Sequence, residues 1–274
     1  MSGAPFYKMC GSGNDFLFFD GREVDPGSWA PDRISRVCAR GTGVGADGLV
    51  VLSPGSAGAV RFTFFNSDGS RGEMCGNAAL CATRLSALIG LARGAAVVLE
   101  TDAGVVRGSA DPGTGPRAEL VLPDVDGVSF PAISAGKGEA AAGFARVGVP
   151  HLVIRVDDLE LVALEDRGRE LRRHPAVGPA GTNVNFVARG SDGWAMRTYE
   201  RGVEAETLAC GTGAVACAAV LASLGTANLP WSVRSRSGAI LTVSGEAMPG
   251  GGLRSPRLVG QARLVYQGTL GPDA

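Results

Sequence analysis

Phe65-Asn66-Ser67-Asp68-Gly69-Ser70-Arg71-Gly72-Glu73-Met74-Cys75-Gly76-Asn77-Ala78 and Tyr199-Glu200-Arg201-Gly202-Val203-Glu204-Ala205-Glu206-Thr207-Leu208-Ala209-Cys210-Gly211-Thr212-Gly213-Ala214 are two renderings of one pattern. Each starts at the aromatic end of a strand and crosses a polar, acidic loop. Each then reaches Cys-Gly, a small polar residue, and an apolar helix carrying a second cysteine, Cys81 or Cys217. Outward from these stretches the correspondence continues. Gly41-Thr42-Gly43-Val44 answers Gly181-Thr182-Asn183-Val184, and residues 11–20 answer 148–157, at offsets between 133 and 140. Strands of a Gly-rich chain can resemble one another by chance, but chance does not keep three matches in one order. The pattern predicts an old duplication.

The implied fold class is α/β (α+β). It consists of two pseudo-symmetric domains, each with strands wrapped around a central buried helix, with the active site in the cleft between them. Residues 78–91 and 214–224 are apolar on nearly every face, which marks buried rather than surface helices. Gly225 is a natural stop for the second. Alternating or β-branched runs predict strands at 17–19, 49–52, 60–65, 96–100, 119–122, 152–156, 184–187, 194–199, 240–244 and 262–266. Residues 134–145 read as a Gly/Ala-rich loop or linker, and 112–116 and 249–256 as turns. The first domain boundary is placed near residue 118, giving domains of 1–118 and 119–261.

A net charge of −1 supplies no basic field, so neither nucleic acid nor an anionic membrane is an expected partner. The N-terminal residues lack a basic segment followed by an apolar run, and the longest apolar stretch, 214–224, is too short to span a bilayer. A cytoplasmic location is therefore expected, with the six cysteines as thiols rather than a disulfide framework. There is no Cys-x-x-Cys and there are only two histidines, so no metal site is expected.

Cys75 and Cys210 each stand where a buried helix begins. A thiol there feels the positive end of the helix dipole and the unpaired N–H groups of the first turn, which favours the thiolate. The glycines that follow remove Cβ atoms and let a carboxylate approach the backbone donors. Each half thus builds a base beside an anion cradle. A symmetric pair of weak acids suits inversion of a stereocentre: one thiolate takes the α-proton and the other thiol supplies one to the opposite face. Helix N-termini aimed at the α-carboxylate would stabilise the carbanion without pyridoxal phosphate, and no cofactor is expected. Cys38, Cys81 and Cys217 read as small buried hydrophobes, and Cys10 carries no assignment.

Lys8-Met9-Cys10-Gly11-Ser12-Gly13-Asn14-Asp15-Phe16, Gly45-Ala46-Asp47-Gly48, Asn66-Ser67-Asp68-Gly69-Ser70, Glu73-Met74-Cys75-Gly76-Asn77, Gly181-Thr182-Asn183-Val184, Tyr199-Glu200-Arg201-Gly202 and Leu208-Ala209-Cys210-Gly211-Thr212-Gly213 resemble, in order, the signature blocks of diaminopimelate epimerases. The resemblance covers essentially the whole chain. Its closing segment, 260–270, resembles the family strand that returns to the first domain, so residues from about 262 to 274 are assigned there. The resemblance implies a homodimeric, metal-free enzyme converting the small-molecule amino acid LL-diaminopimelate to the meso isomer, in lysine and peptidoglycan-precursor synthesis. It implies Cys75 and Cys210 as the acid/base thiols. Gly76, Asn77, Gly211 and Thr212 would hold the reacting carboxylate, with His151 and Glu200 near the reacting amino end. Asn14, Asn66, Asn183 and Arg201 would bind substrate, Arg201 by a charge-assisted fork to the distal carboxylate.

The chain departs from the family pattern at Val149, where Asn is common, at Cys10, where His is common, and at Ala78-Ala79-Leu80. The run Gly43-Val44-Gly45-Ala46-Asp47-Gly48 matches a dinucleotide fingerprint but is followed by a strand-like 49–52 instead of a helix, and is set aside. The competing readings are a proline or hydroxyproline racemase with the same two-thiol logic, and an amino-acid sensor. Glu200-Arg201 favours a substrate with a charged distal end over the first. The presence of both thiols disfavours the second.

Overall fold

Strand β1 (Pro5–Gly11) reverses through Ser12 and Gly13, both at positive φ, into β2 (Asn14–Asp20), a two-residue hairpin whose twist matches its strands. In this computed structural model, which describes residues 3–111, 113 and 115–274, that hairpin opens the first of two units. Unit 1 comprises Met1–Leu120 and Gly260–Ala274, and unit 2 comprises Val121–Val259. Part of the turn expected at 112–116 lies outside the described residues.

In unit 1, helix α1 (Pro31–Cys38) connects β2 to β3 (Gly48–Pro54), which lies parallel to it. Then follow β4 (Val60–Asn66), β5 (Arg71–Gly72), α2 (Gly76–Leu88), β6 (Ala96–Thr101), β7 (Gly104–Ser109) and β8 (Arg117–Val121). In unit 2, β9 (Val128–Ser129) and β10 (Glu139–Val147) lead to β11 (Val149–Val156), and α3 (Leu164–Arg172) connects β11 to its parallel neighbour β12 (Asn183–Gly190). Next come β13 (Gly193–Glu200), β14 (Ala205–Thr207), α4 (Gly211–Ser223), β15 (Trp231–Arg234), β16 (Ile240–Ala247) and β17 (Leu253–Gln261). Strand β18 (Arg263–Thr269) pairs antiparallel with β1 and so belongs to unit 1.

The two units repeat one pairing scheme. β2 and β3 are parallel, β3 and β4 antiparallel, β4 and β6 parallel; β11 and β12, β12 and β13, and β13 and β15 follow suit. Phe16 pairs with Gly48 as His151 pairs with Asn183, an offset of 135 residues (151 less 16, 183 less 48) that also separates Cys75 from Cys210.

Each unit has an inner and an outer helix. The inner helices, α2 and α4, are rich in Ala, which favours helix and lets strands approach closely. α4 is buried at every position from Gly213 to Leu221. It ends where Gly225 takes a left-handed φ of 66° and donates to Ala222. On the opposite sheet face, α1 covers Leu17, Phe19, Leu49 and Val51, and α3 covers Leu152, Ile154, Val184 and Tyr199.

Residues 134–145, expected to be a loop or linker, are in part strand: β10 begins at Glu139. Ala and Gly carry little strand propensity, but packing demands them here. A Cβ on Gly143 would fall 2.5 Å from Val220 Cγ1 of α4, so only a small residue brings this strand against the helix. The expected turn at 249–256 is shorter than expected, closing at Gly250 and Gly251 before β17 starts at Leu253. Among the described residues, no helix is long and apolar enough to cross a membrane.

Candidate active site

Cys75 and Cys210 are the N-cap residues of α2 and α4. Both have extended backbones (φ −132° and −129°), and their carbonyls accept the first helical hydrogen bonds, from Ala79 at 2.8 Å and Ala214 at 3.0 Å. Cys75 is half-buried and Cys210 nearly buried, with its Sγ 3.7 Å from Thr212 Oγ1. Among the described residues, no group of three or more His, Cys, Asp or Glu gathers as metal ligands would.

In unit 1 the helix start is tied to the β1–β2 hairpin. Asn77 Nδ2 donates to Asn14 Oδ1 at 2.7 Å, and Asn14 Nδ2 donates to Asp47 Oδ2 at 3.0 Å. Asp47 is held by Arg40 at 2.8 Å, and Arg40 and Lys8 both bridge to Asp15. Those cations hold the Asp15 carboxyl below its ordinary range against the opposing effect of burial. A Cβ on Gly11 would lie 2.4 Å from the Asn77 carbonyl, whereas a Cβ on Gly76 would meet nothing within 4 Å. A side chain at position 76 would therefore project into open space beside the helix start. Asn66 stands apart from this cluster: it is exposed, at the end of β4, and donates to Ser70 Oγ in its own turn at 2.9 Å.

In unit 2, His151 near the start of β11, Asn183 at the start of β12 and Glu200 at the end of β13 lie on neighbouring strands of one sheet. His151 pairs in register with Asn183, whose Oδ1 accepts from the Arg201 backbone N–H at 2.7 Å. Arg201 also reaches the Ala180 carbonyl at 3.4 Å, and among the described residues its guanidinium has no carboxylate partner. Burial pushes the Glu200 carboxyl above its usual range, an effect that the neighbouring Thr207 hydroxyl partly offsets. His151 is fully buried; burial, aided by the charge of Arg201, pushes its pKa down to about 3, so the ring is neutral near pH 7. Gly211 and Thr212 form the first turn of α4, and a Cβ on Gly211 would meet Leu258 Cδ2 at 2.7 Å. Val149 is the half-buried first residue of β11, the station that Asn14 holds at the start of β2.

Two supporting residues escaped the sequence reading. Asp47 lies within a quoted block, but nothing in sequence links it to Asn14. Asn185 is fully buried and bonded to Leu152 and Thr198. Its signal was present: in Asn183-Val184-Asn185 the two amides fall on one face of a strand by the period of two.

The chain is similar to known proteins along nearly its whole length. The family model described as diaminopimelate epimerase matches residues 6–113 and 143–247. The diaminopimelate epimerase of Gemmatimonas aurantiaca is 44% identical over 97% of this chain and 98% of its own length. That of Aquifex aeolicus is 40% identical over 98% of each. Among solved structures, a Bacillus anthracis phenazine biosynthesis protein of the PhzF family superposes with a TM-score of 0.75 at 12% identity, covering 99% of this chain and 100% of that one. A hydroxyproline epimerase from Agrobacterium vitis does so with a TM-score of 0.64 at 21% identity, over 98% and 91%. These distant neighbours share the fold. The family is given by the closer relatives, the matched model and the paired Cys-Gly helix starts together: the chain belongs to the diaminopimelate epimerase family.

Proposed function

We propose that this protein interconverts LL- and meso-diaminopimelate by proton transfer between the Cys75 and Cys210 thiols. The observation that carries the reading is that both cysteines are N-caps of buried helices whose first turns begin with glycine. One sulfur enters as thiolate, takes the α-hydrogen as a proton and becomes a thiol. The other enters as thiol, protonates the opposite face of the carbon and becomes a thiolate. The electron pair left on the α-carbon delocalises into the carboxylate. N–H groups at Gly76, Asn77, Gly211 and Thr212 stabilise it there more in the transition state than in the ground state. Glu200 has the polarity to hold the ammonium group of the reacting centre. Arg201, without an acidic partner among the described residues, suits the distal carboxylate, with Asn14, Asn66 and Asn183 as further polar contacts.

The working form proposed is a homodimer in the cytoplasm, acting in lysine and peptidoglycan-precursor synthesis. Light scattering on the purified protein tests the assembly. The chemistry is tested by incubating enzyme with LL-diaminopimelate in D2O and following α-deuterium incorporation and meso product by NMR. Lysine, glutamate and proline serve as comparison substrates. Turnover of diaminopimelate alone supports the assignment. An inert diaminopimelate beside an efficiently epimerised alternative overturns the substrate while leaving the thiol mechanism standing.

A further inference from the structure

We propose that Asn185 is a positioning residue that holds His151 as the neutral tautomer protonated on Nε2, so that His151 offers the reacting centre an N–H donor and not a lone pair. The inference rests on the reading of this site as an epimerase centre and adds a polarity to one of its members.

The hydrogen-bond capacity of Asn185 decides the tautomer. Asn185 lies on β12 in register with Val153 of β11, placing its side chain on the same sheet face as His151. Its Nδ2 donates to the Leu152 carbonyl at 3.1 Å, and its Oδ1 accepts from Thr198 Oγ1 at 3.0 Å. The amide cannot be reversed without setting Oδ1 against the Leu152 carbonyl oxygen, acceptor against acceptor. Its second hydrogen therefore points at His151 Nδ1, 3.3 Å away. Facing a donor, Nδ1 must supply a lone pair, and in a neutral imidazole the proton then sits on Nε2. Burial keeps the ring neutral at physiological pH, as its pKa of about 3 indicates. Nε2 is itself buried and meets no hydrogen-bond partner among the described residues, which is costly unless a ligand supplies one.

Such a group matches an anionic acceptor, a carboxylate or thiolate, and mismatches an ammonium. That moves His151 from the amino end expected by resemblance to the anionic side of the reacting centre. A second observation ties the same amide to the catalytic helix. A Cβ on Gly213 would fall 2.3 Å from Asn185 Oδ1 and 3.1 Å from Cys210 Sγ, so the amide sits against the first turn of α4 beside the thiol. One side chain thus fixes the ring and seats the helix start.

The test is nitrogen NMR of the folded protein labelled with 15N-histidine. The sequence holds only His151 and His174, and a His174→Gln variant assigns the spectrum. In wild type without substrate, between pH 5 and pH 8, His151 is expected to carry its proton on Nε2. A proton on Nδ1, or an imidazolium, overturns the proposal. Asn185→Asp keeps the shape but replaces the donor with an acceptor. The proton is expected to move to Nδ1 and kcat to fall by about a hundredfold with KM changed by less than about threefold, the scale of one lost hydrogen-bond donor to charge that develops in the transition state. A tautomer switch with unchanged kcat, or a fall in kcat with the tautomer unchanged, refutes the positioning role. Should Asn185→Asp fail to fold, the wild-type spectrum still decides. Because that spectrum needs no substrate, it stands apart from the substrate assignment, which fails separately if diaminopimelate is inert with wild type.

Discussion

Asn66 and Glu200 occupy the same station in the two copies of the repeat. Asn66 ends β4 opposite Gly48, and Glu200 ends β13 one residue beyond Tyr199, which pairs with Val184. One copy leaves an exposed amide there and the other a half-buried carboxyl. The carboxyl has a thermodynamic cost. Its pKa is raised by burial above the ordinary 4.5. The folded state therefore binds the proton more tightly than the unfolded state does. The stability this group contributes is fully present below pH 4.5 and is lost as pH rises through the folded value.

Glu200→Gln is accordingly expected to raise the melting temperature at pH 7–8, to leave it unchanged near pH 3.5, and to cut epimerisation sharply. This is the exchange of stability for function seen where a site buries a charge. Thermal melts across that pH range check it; a variant less stable than wild type at pH 8 would contradict the sign.

The thiols sort by environment. Burial pushes Cys38 up to about 11 and pushes Cys81 and Cys217 up as well. Brief alkylation of the native protein at pH 8 should label the half-buried Cys75 and Cys10 and, more slowly, Cys210. The other three should react only after unfolding. Peptide mapping reads this directly, and labelling of Cys217 in native protein would show that α4 opens more readily than its packing implies.

Cys75→Ala and Cys210→Ala should each abolish epimerisation, by at least about a hundredfold on the scale of a general acid or base, while circular dichroism stays native. Near-wild-type turnover by either variant sinks the two-thiol mechanism.

Two glycines on the inner helices should respond oppositely. Gly213→Ala drives a methyl to within 2.3 Å of Asn185 Oδ1. It should destabilise by about 1–3 kcal/mol through overpacking. Gly76→Ala meets open space and gains helix propensity, so it should melt at or above the wild-type temperature. Its methyl would nonetheless sit where the carboxylate is proposed to approach, and KM should rise about tenfold or more. A Gly76→Ala enzyme with normal KM would remove the carboxylate from that helix start.

The duplication was legible because its markers are chemical: Cys-Gly before an apolar run, with aromatic strand ends upstream. The inner helices were legible for the same reason. Each begins two or three residues earlier than its apolar run, at Gly76 and Gly211, because a helix's first turn is set by capping geometry. α1 and α3 went unread. Arg33, Ser35 and Arg36, or Arg167, Gly168 and Arg169, break the apolar signal, and only tertiary packing makes them helices. β10 was hidden because its alanines and glycine are chosen for closeness to α4. The placement of Cys75 and Cys210 at helix starts, with glycine after each, was legible. What Asn14 leans on, Asp47 and Arg40, was not, since those partners meet only once β2 and β3 lie side by side.

The shared offset of 135 residues between His151 and Phe16, and between Cys210 and Cys75, has a consequence for how this molecule changes under selection. Backbone donors and thiols recur in both copies, so even-handedness toward left and right configurations is inherited from the frame. On the proposed mechanism, discrimination among substrates falls where the copies disagree, among them Asn14 against Val149, Asn66 against Glu200 and Phe16 against His151. On that mechanism, new preferences can therefore be drafted at Asn14, Val149 and Asn66, whereas changes at Glu200 and His151 reach the inversion of the carbon centre itself.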